Sequence, residues 1–346
     1  MKTAIVILNW NGKKLLEQFL PSIVNFSSEA SIYVADNAST DTSISYVRTF
    51  FPSIKIVKNA TNGGYAKGYN DALQSIHADI FCLINSDVAV TKNWLVPVLD
   101  VFKNEEKTAI IQPKILDFKD KRKFEYAGAG GGFVDLYGYP YCRGRIFNHL
   151  ETDKGQFNNT TDIFWASGAC LFIRSKIYHQ LNGFDEDYFA HQEEIDLCWR
   201  IHNAGYKIAV IPDSTVFHLG GGTLDYGNSK KVYLNFRNNL YTLFKNDSSI
   251  NIFWKIPLRL ILDGIAGLKF LLEGKFKSAL SIIKAHFSFY ANFFKLLKKR
   301  SQLEELIKVY GKSKANKDGM LSKSILWQYY VSGKKTFSDI FKTTKV

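Results

Sequence analysis

Residues 3–12 read TAIVILNWNG, a short, almost wholly apolar run that stops at once in Asn9-Trp10-Asn11-Gly12. An apolar run this short, rich in β-branched residues and closed by a polar turn, reads as a strand buried on both faces. The same pattern returns at 31–35 (SIYVA), 54–57 (IKIV) and 80–84 (IFCLI). Between these runs, residues 15–25, 42–51 and 69–76 suit crossover helices. Strand–helix alternation predicts an α/β fold, a mostly parallel twisted sheet flanked by helices. Ligands on such sheets bind beyond the carboxyl ends of the strands. Those ends are Asn9-Trp10-Asn11-Gly12, Asp36-Asn37-Ala38-Ser39 and Asn85-Ser86-Asp87.

Residues 118–162 are rich in Gly and Tyr and lack periodicity, so an irregular insertion with short strands is expected. A strand resumes over 163–173, with an interruption at Ser167-Gly168-Ala169. A helix over about 192–203 ends at Gly205, a good residue just past a helix terminus. Residues 206–211 and 215–218 read as strands, followed by Gly220-Gly221-Gly222. Residues 257–272 are apolar around most of a helix but carry Arg259, Asp263 and Lys269, and are short for a membrane span. Residues 281–300 predict one amphipathic helix: Ile283, Phe287, Tyr290, Phe294 and Leu297 alternate by four and three, with Lys284, Ser288, Asn292, Lys295 and Lys299 opposite. Residues 311–320 read as a flexible polar stretch and 321–331 as a last short helix.

The net charge of +13 is local. Residues 241–346 hold 20 Lys+Arg against 7 Asp+Glu, which is the whole excess, while residues 1–240 hold 25 of each. Two parts are expected: a neutral catalytic domain over 1–240, and a basic amphipathic helical extension over 241–346. An apolar face edged with Lys and Arg suits a helix lying on an anionic membrane surface; packing of that face on the catalytic domain is the competing reading. The four cysteines lie far apart with no CxxC pair, which argues for reduced thiols without a disulfide framework or structural zinc. The first apolar run is too short for a signal peptide. The expected location is cytoplasmic, peripheral on the cytoplasmic face of the membrane. Nucleic acid is excluded as a partner, because the basic segment carries no reading motif and the remainder is neutral.

Chemistry concentrates at residues 183–200, GFDEDYFAHQEEIDLCWR. Six carboxylates (Asp185, Glu186, Asp187, Glu193, Glu194, Asp196) alternate there with Phe184, Tyr188, Phe189, Ile195, Leu197 and Trp199. Carboxylates held against an apolar scaffold commonly hold a metal or move a proton. Asp36, at a strand end, can accept ribose hydroxyls or a pyrimidine N–H. The glycine-bearing loop NGGYAKGYN at 62–70 lets backbone approach a ligand, but it is neither GxxxxGK[ST] nor GxGxxG. Asp87 can hold a hard divalent cation bridging a diphosphate. His218 is either a structural histidine or a ligand in the space opened by the adjoining glycines.

In this order, AIVILNWNG, DNASTD (36–41), NGGYAKGYN, NSD (85–87), SGAC (167–170), GFDEDYFAHQEEIDLCWR, AGYKIAVIPDSTVFHLGGG (204–222) and YLNFRNNL (233–240) resemble the inverting glycosyltransferases of family 2, with their GT-A fold. The likeness runs from Ile5 to about Asn239 and is greatest to the rhamnosyltransferase-type branch that builds bacterial surface polysaccharides. It implies Asp36 at the nucleoside with Asn9, Asn37 and Asn70 lining that pocket, and Asn85 and Ser86 near the nucleotide-sugar. It also implies Asp87 and His218 at a divalent cation, Mg2+ or Mn2+, and Trp165 and Gly168 near the sugar and acceptor. Arg237 and Asn238 match a basic motif at the leaving phosphate, and Glu194 takes the general base position. Two departures stand out. The metal motif begins with Asn85, leaving Asp87 its only carboxylate, and Glu194 replaces the usual Asp, so Glu193 is the other candidate base.

The resemblance implies a nucleotide-diphosphate sugar donor, with rhamnose as the suggested sugar, and a glycan or lipid-linked glycan acceptor; a homodimer is left open. Inverting transfer needs a base for the acceptor hydroxyl proton and stabilisation of the departing diphosphate. A sugar-nucleotide pyrophosphorylase would want a Gly-rich, basic loop after the first strand, and NWNGKK is a poor one. A membrane-bound sugar-nucleotide or glycan-binding protein with a decayed site is the non-enzymatic alternative, resting on Asn85 and Glu194.

Overall fold

The computed structural model of the chain describes residues 1–220 and 229–341. Its strands are β1 (Thr3–Asn9), β2 (Ser31–Asp36), β3 (Lys55–Lys58), β4 (Ile80–Asn85), β5 (Val88–Val90), β6 (Thr108–Asp117), β7 (Gly132–Asp135), β8 (Pro140–Cys142), β9 (Arg145–Ile146), β10 (His149–Leu150), β11 (Thr161–Asp162), β12 (Cys170–Arg174), β13 (Lys207–His218) and β14 (Met320–Leu321). Its helices are α1 (Lys13–Asn25), α2 (Ser43–Phe50), α3 (Gly64–Leu73), α4 (Leu95–Asn104), α5 (Ser175–Gln180), α6 (Glu193–Asn203), α7 (Ser229–Asn246), α8 (Ile252–Leu272), α9 (Phe276–Ala291), α10 (Phe293–Tyr310) and α11 (Phe337–Phe341).

The main sheet runs β11-β13-β6-β12-β4-β1-β2-β3, with β5 paired to β13. The β1, β2, β3 and β4 pairings are parallel, as the early alternation predicts, and β12 is antiparallel to both β4 and β6. Along β1, Ile5 and Ile7 pack with Leu16, Leu20 and Trp94 on one face, and Ala4 and Val6 pack with Tyr69, Phe81 and Leu83 on the other. Period-two alternation with apolar residues at every position covers both faces. The parallel register sets Asn9 beside Asp36 and Leu8 beside Asn85, so the polar strand ends form one edge.

Several boundaries differ from the sequence reading. Helix α3 begins at Gly64, earlier than expected, because the glycine loop itself opens the helix. The two strands after residue 205 are one strand, β13, with a register shift between Ile211 and Thr215, around Pro212, which has no N–H to give the ladder. Gly221 and Gly222 lie outside the described residues. The insertion forms a second sheet, β10-β9-β8-β7-β14, whose last strand comes from the C-terminal region.

The C-terminal third is wound into the first two-thirds. Residue 240 falls inside α7, and the core beneath the main sheet includes Leu240, Ile252, Phe289, Leu296, Ile325 and Phe337. The stretch expected to be flexible is tied to α6, with Lys312 N–H donating to Ala204 O (2.9 Å) and Asn316 N–H to His202 O (2.8 Å). The expected last helix begins later than expected, since Leu321 belongs to β14, and it continues from Ile325 into a π-helical turn at Trp327–Val331. The single helix over 281–300 is two, α9 and α10, meeting at Asn292. Their inward face is Ile282, Ala285, Phe289 and Leu296. The apolar stripe read from the sequence points outward, with Phe287 71% and Phe294 83% exposed. Ile261, Ile265, Leu268 and Leu272 of α8 extend this outward apolar surface. Among the described residues no helix is long and apolar enough to cross a membrane.

Candidate active site

At the sheet edge, Asn9 is buried and its Nδ2 donates to Ser39 Oγ (3.1 Å) and Ser43 Oγ (3.0 Å), while its Oδ1 is left without a partner. Asp36, also buried, accepts from Ser39 N–H at 3.1 Å across a tight turn in which Ala38 is left-handed (φ 60°). Asn37 is spent on structure: its Nδ2 donates to Asn62 Oδ1 and Gly64 O, and its Oδ1 accepts from Asn59. Asn9 and Asp36 stand side by side at the ends of β1 and β2, and Asn37 holds the glycine loop against them.

Two strands along, Asp87 Oδ1 lies 3.1 Å from His218 Nε2, because β5 and β13 place Val88 opposite His218. On the other side of the ring, Nδ1 lies 3.3 Å from Oε1 of buried Glu125, at ion-pair distance but poorly aligned for a hydrogen bond. Burial opposes charge on His218, yet the flanking carboxylates of Asp87 and Glu125 outweigh it and push the imidazolium up to about 10. Asn85 and Ser86 form the turn into Asp87, and Asn85 N–H is taken by Ala169 O (2.9 Å). Among the described residues no three His, Cys, Asp or Glu side chains converge as a metal cage. One carboxylate oxygen, with one imidazole nitrogen once the ring has given up its proton, would suit a Mg2+ or Mn2+ ion, and Glu125 would stand behind the ring.

The acid run divides into two groups. Asp185 pairs with Lys245 and Lys299 (2.5 Å each), and Asp187 with Lys295 (2.7 Å) and Lys299 (2.6 Å). Asp196 pairs with Lys245 (2.9 Å) and Arg200 (3.0 Å), and Glu186 faces Lys67 at 3.9 Å. Among the described residues no cation lies within ion-pair distance of Glu193 or Glu194, and each has one buried oxygen without a partner. Burial pushes Glu194 up to about 7, against the pull of backbone N–H groups at the first turn of α6. Burial and the neighbouring Glu194 charge hold Glu193 well above its ordinary value. Glu193 is the more deeply buried of the two, and Glu194 is half-buried.

Tyr65, from the glycine loop, joins this group. Its N–H donates to Phe189 O (2.8 Å) and its hydroxyl to Gly168 O (2.7 Å). Burial holds that hydroxyl far above its ordinary value, with Tyr69, Glu193 and Glu194 adding to the effect. Gly64 is left-handed, and a Cβ there would meet Phe189 O at 2.5 Å. The glycine therefore admits the acid loop rather than a ligand. Gly168 does stand beside the acids through Tyr65.

Three expected site residues are placed elsewhere. Trp165 is a core residue, only 4% exposed, with its indole N–H given to Phe133 O (2.9 Å). Asn70 gives its amide to Phe184 O and Glu186 and accepts from Tyr178 and Phe184 N–H; among the described residues no hydrogen bond links it to Asp36. Arg237 donates through Nη2 to Asp187 O (2.9 Å) and Tyr188 O (3.2 Å), and through Nε to Asn238 Oδ1 (2.8 Å). The sequence reading missed Glu125, which lies in the irregular insertion with no motif around it. Tyr65 stood out in the sequence only for its glycine neighbours.

The sheet is that of the GT-A fold, with a carboxylate–histidine pair near its strand ends and two acids without a cation partner among the described residues, and the class it belongs to is the glycosyltransferases. The chain belongs to glycosyl transferase family 2, whose model matches residues 4–181. It is similar to N-acetylglucosaminyl-diphospho-decaprenol L-rhamnosyltransferase of Mycobacterium tuberculosis, at 24% identity over 287 residues, covering 77% of this chain and 90% of that protein. It is also similar to the low-salt glycan biosynthesis hexosyltransferase Agl10 of Haloferax volcanii, at 22% identity over 68% of this chain and 73% of that one. The fold is shared with mannosyltransferase PcManGT from Pyrobaculum calidifontis, solved with GDP-Man and Mn2+ (TM-score 0.52, 15% identity, 89% of this chain and 86% of that chain). It is shared too with GalNAc-T7, solved with UDP, GalNAc and Mn2+ (TM-score 0.55, 15% identity, 71% of this chain), where this chain spans 48% of the other's length.

The Glu194 carboxyl is expected to titrate at about pH 7, against an ordinary 4.5. Because the folded state keeps this proton to higher pH than the unfolded chain, the group costs stability as pH rises through that window. Carbon NMR of glutamate-labelled protein, assigned with Glu194→Gln, reads the midpoint directly. A midpoint at the ordinary value would contradict the burial described.

Proposed function

We propose that this glycosyltransferase inverts the anomeric centre as it moves a sugar, rhamnose in the first instance, from a nucleotide diphosphate to a hydroxyl of a lipid-linked or polysaccharide acceptor. The observation that carries this reading is the division of the acid run, in which four carboxylates are paired and Glu193 and Glu194 are not. Two adjacent carboxyls with separated affinities for a proton suit separate roles. Glu194, half-buried and ionised above about pH 7, is the general base. Glu193, which burial and the Glu194 charge hold well above its ordinary value, resists a second negative charge in the site.

Glu194 takes the acceptor proton as that oxygen attacks the anomeric carbon from the face opposite the nucleotide. The bond to the diphosphate oxygen breaks, and its electron pair leaves with the nucleotide. Asn9 and Asp36 would orient the nucleoside, and Asp87 and His218 would hold a divalent cation with Glu125 behind the imidazole. Such a cation neutralises charge on a departing diphosphate. The similarity to a rhamnosyltransferase named for a lipid-diphosphate GlcNAc acceptor, over most of both chains, supports the sugar and the acceptor class.

Glu194→Gln is expected to lower kcat by roughly 10²–10⁴-fold. Glu193→Gln is expected to keep most turnover, because in this reading Glu193 is not the proton acceptor. Assay with TDP-rhamnose and a polyprenyl-diphosphate-GlcNAc acceptor checks both, and full turnover by Glu194→Gln would remove the base assignment.

The outward apolar surface of α8, α9 and α10 supports attachment to an anionic bilayer. It is edged by exposed Lys269, Lys275, Lys284 and Lys298, and each such cation contributes about 1 kcal/mol near an anionic leaflet. Flotation with vesicles containing anionic phospholipid is expected to carry the protein upward, and Phe287→Glu with Phe294→Glu to leave it at the bottom. Equal flotation of parent and variant would reject this surface.

A further inference from the structure

The base sits at the end of a strained loop. Phe189 (φ 60°), His191 (φ 69°) and Gln192 (φ 72°) are all left-handed, none is glycine, and Glu193-Glu194 follow directly. L side chains adopt this backbone rarely, and it persists only where the surroundings over-determine it. Here the chief constraint is one fully buried side chain. Asn238 Nδ2, on α7, donates to Tyr188 O (3.3 Å), Ala190 O (3.0 Å) and His191 O (2.7 Å). Its Oδ1 accepts from Arg237 Nε, and Arg237 Nη2 holds the carbonyls of Asp187 and Tyr188. Asn239 completes the set by donating to Gln192 Oε1 (3.1 Å). Gln192 O then accepts from Asp196 N–H (2.9 Å), closing the first turn of α6. The loop's left-handed exit therefore fixes where that first turn, and both glutamates, stand.

We propose that Asn238, braced by Arg237, is the positioning residue for the catalytic base. Its carboxamide gathers three loop carbonyls and so aims Glu194 at the acceptor hydroxyl. This rests on the reading of Glu194 as base and changes the part given to Arg237, from a contact of the leaving phosphate to a brace of the loop. An asparagine is specific to this task. Aspartate of the same shape donates nothing and would set a negative charge against three carbonyl oxygens, and alanine removes this donor from Ala190 O and His191 O, while Tyr188 O keeps Arg237 Nη2 and the Ala190 N–H.

The test uses the full chain with Asn238→Ala and, at a half-buried position, Arg237→Gln. Two readouts are taken: hydrogen exchange of the peptide spanning 186–197, and steady-state kinetics with TDP-rhamnose and the lipid-diphosphate acceptor. Both variants are expected to exchange about tenfold faster in that peptide, with β1 and β2 unchanged. Turnover is expected to fall about 100-fold, as for a misplacement of about 1 Å, with the donor KM within about threefold of the parent. Unchanged exchange, or faster exchange with kcat retained, overturns the proposal. So does an Arg237→Gln variant that raises donor KM with kcat intact, since that marks a ligand contact. Should Asn238→Ala fail to fold, Arg237→Gln decides the question through the same two readouts. Loss of the base reading is recognised separately, by full turnover in Glu194→Gln.

Discussion

The arrangement of the site depends on the buried ion pairs beneath the acid loop. Asp196 is fully buried, held by Lys245, Arg200 and Asn246, and Lys245 reaches on to Asp185. Lys299 of α10 then grips both Asp185 and Asp187. Removing one partner of such a network would strand a buried charge, at a cost of about 3–5 kcal/mol. The network joins α6, α7 and α10 to the loop, so the chain can leave Glu193 and Glu194 unpaired a few residues away. Charge is satisfied where it holds the fold and left unsatisfied at the two glutamates proposed to serve the reaction.

Much of this frame was legible in the sequence. The apolar runs of β1, β2 and β4 and the polar residues closing them gave the sheet and its binding edge, because a strand buried on both faces has little freedom in composition. The acid run was recognisable as a site because apolar residues run through it. Which of its carboxylates were structural was not legible, since their partners Lys245, Lys295 and Lys299 lie about 50 residues or more away along the chain. Lys295 and Lys299 instead read as the polar side of an amphipathic helix. Trp165 and Asn70 carried family roles by position, but their polar atoms are spent inside the fold. Glu125 could be found only by the folding of the insertion against β13.

The same distances explain the C-terminal third. Its excess charge suggested a separate part, yet its inner face completes the core beneath the main sheet while its outer face, among the described residues, stays apolar and exposed. One set of helices thus braces the acid loop through Lys295 and Lys299 and presents Phe287 and Phe294 outward.

The most direct test is the anomeric configuration of the freshly formed product, read by proton NMR against that of the donor sugar. A base in the acid loop, acting on an acceptor opposite the nucleotide, predicts inversion. Retention would require attack from the nucleotide's own face or a covalent intermediate, and would contradict the role given to Glu194.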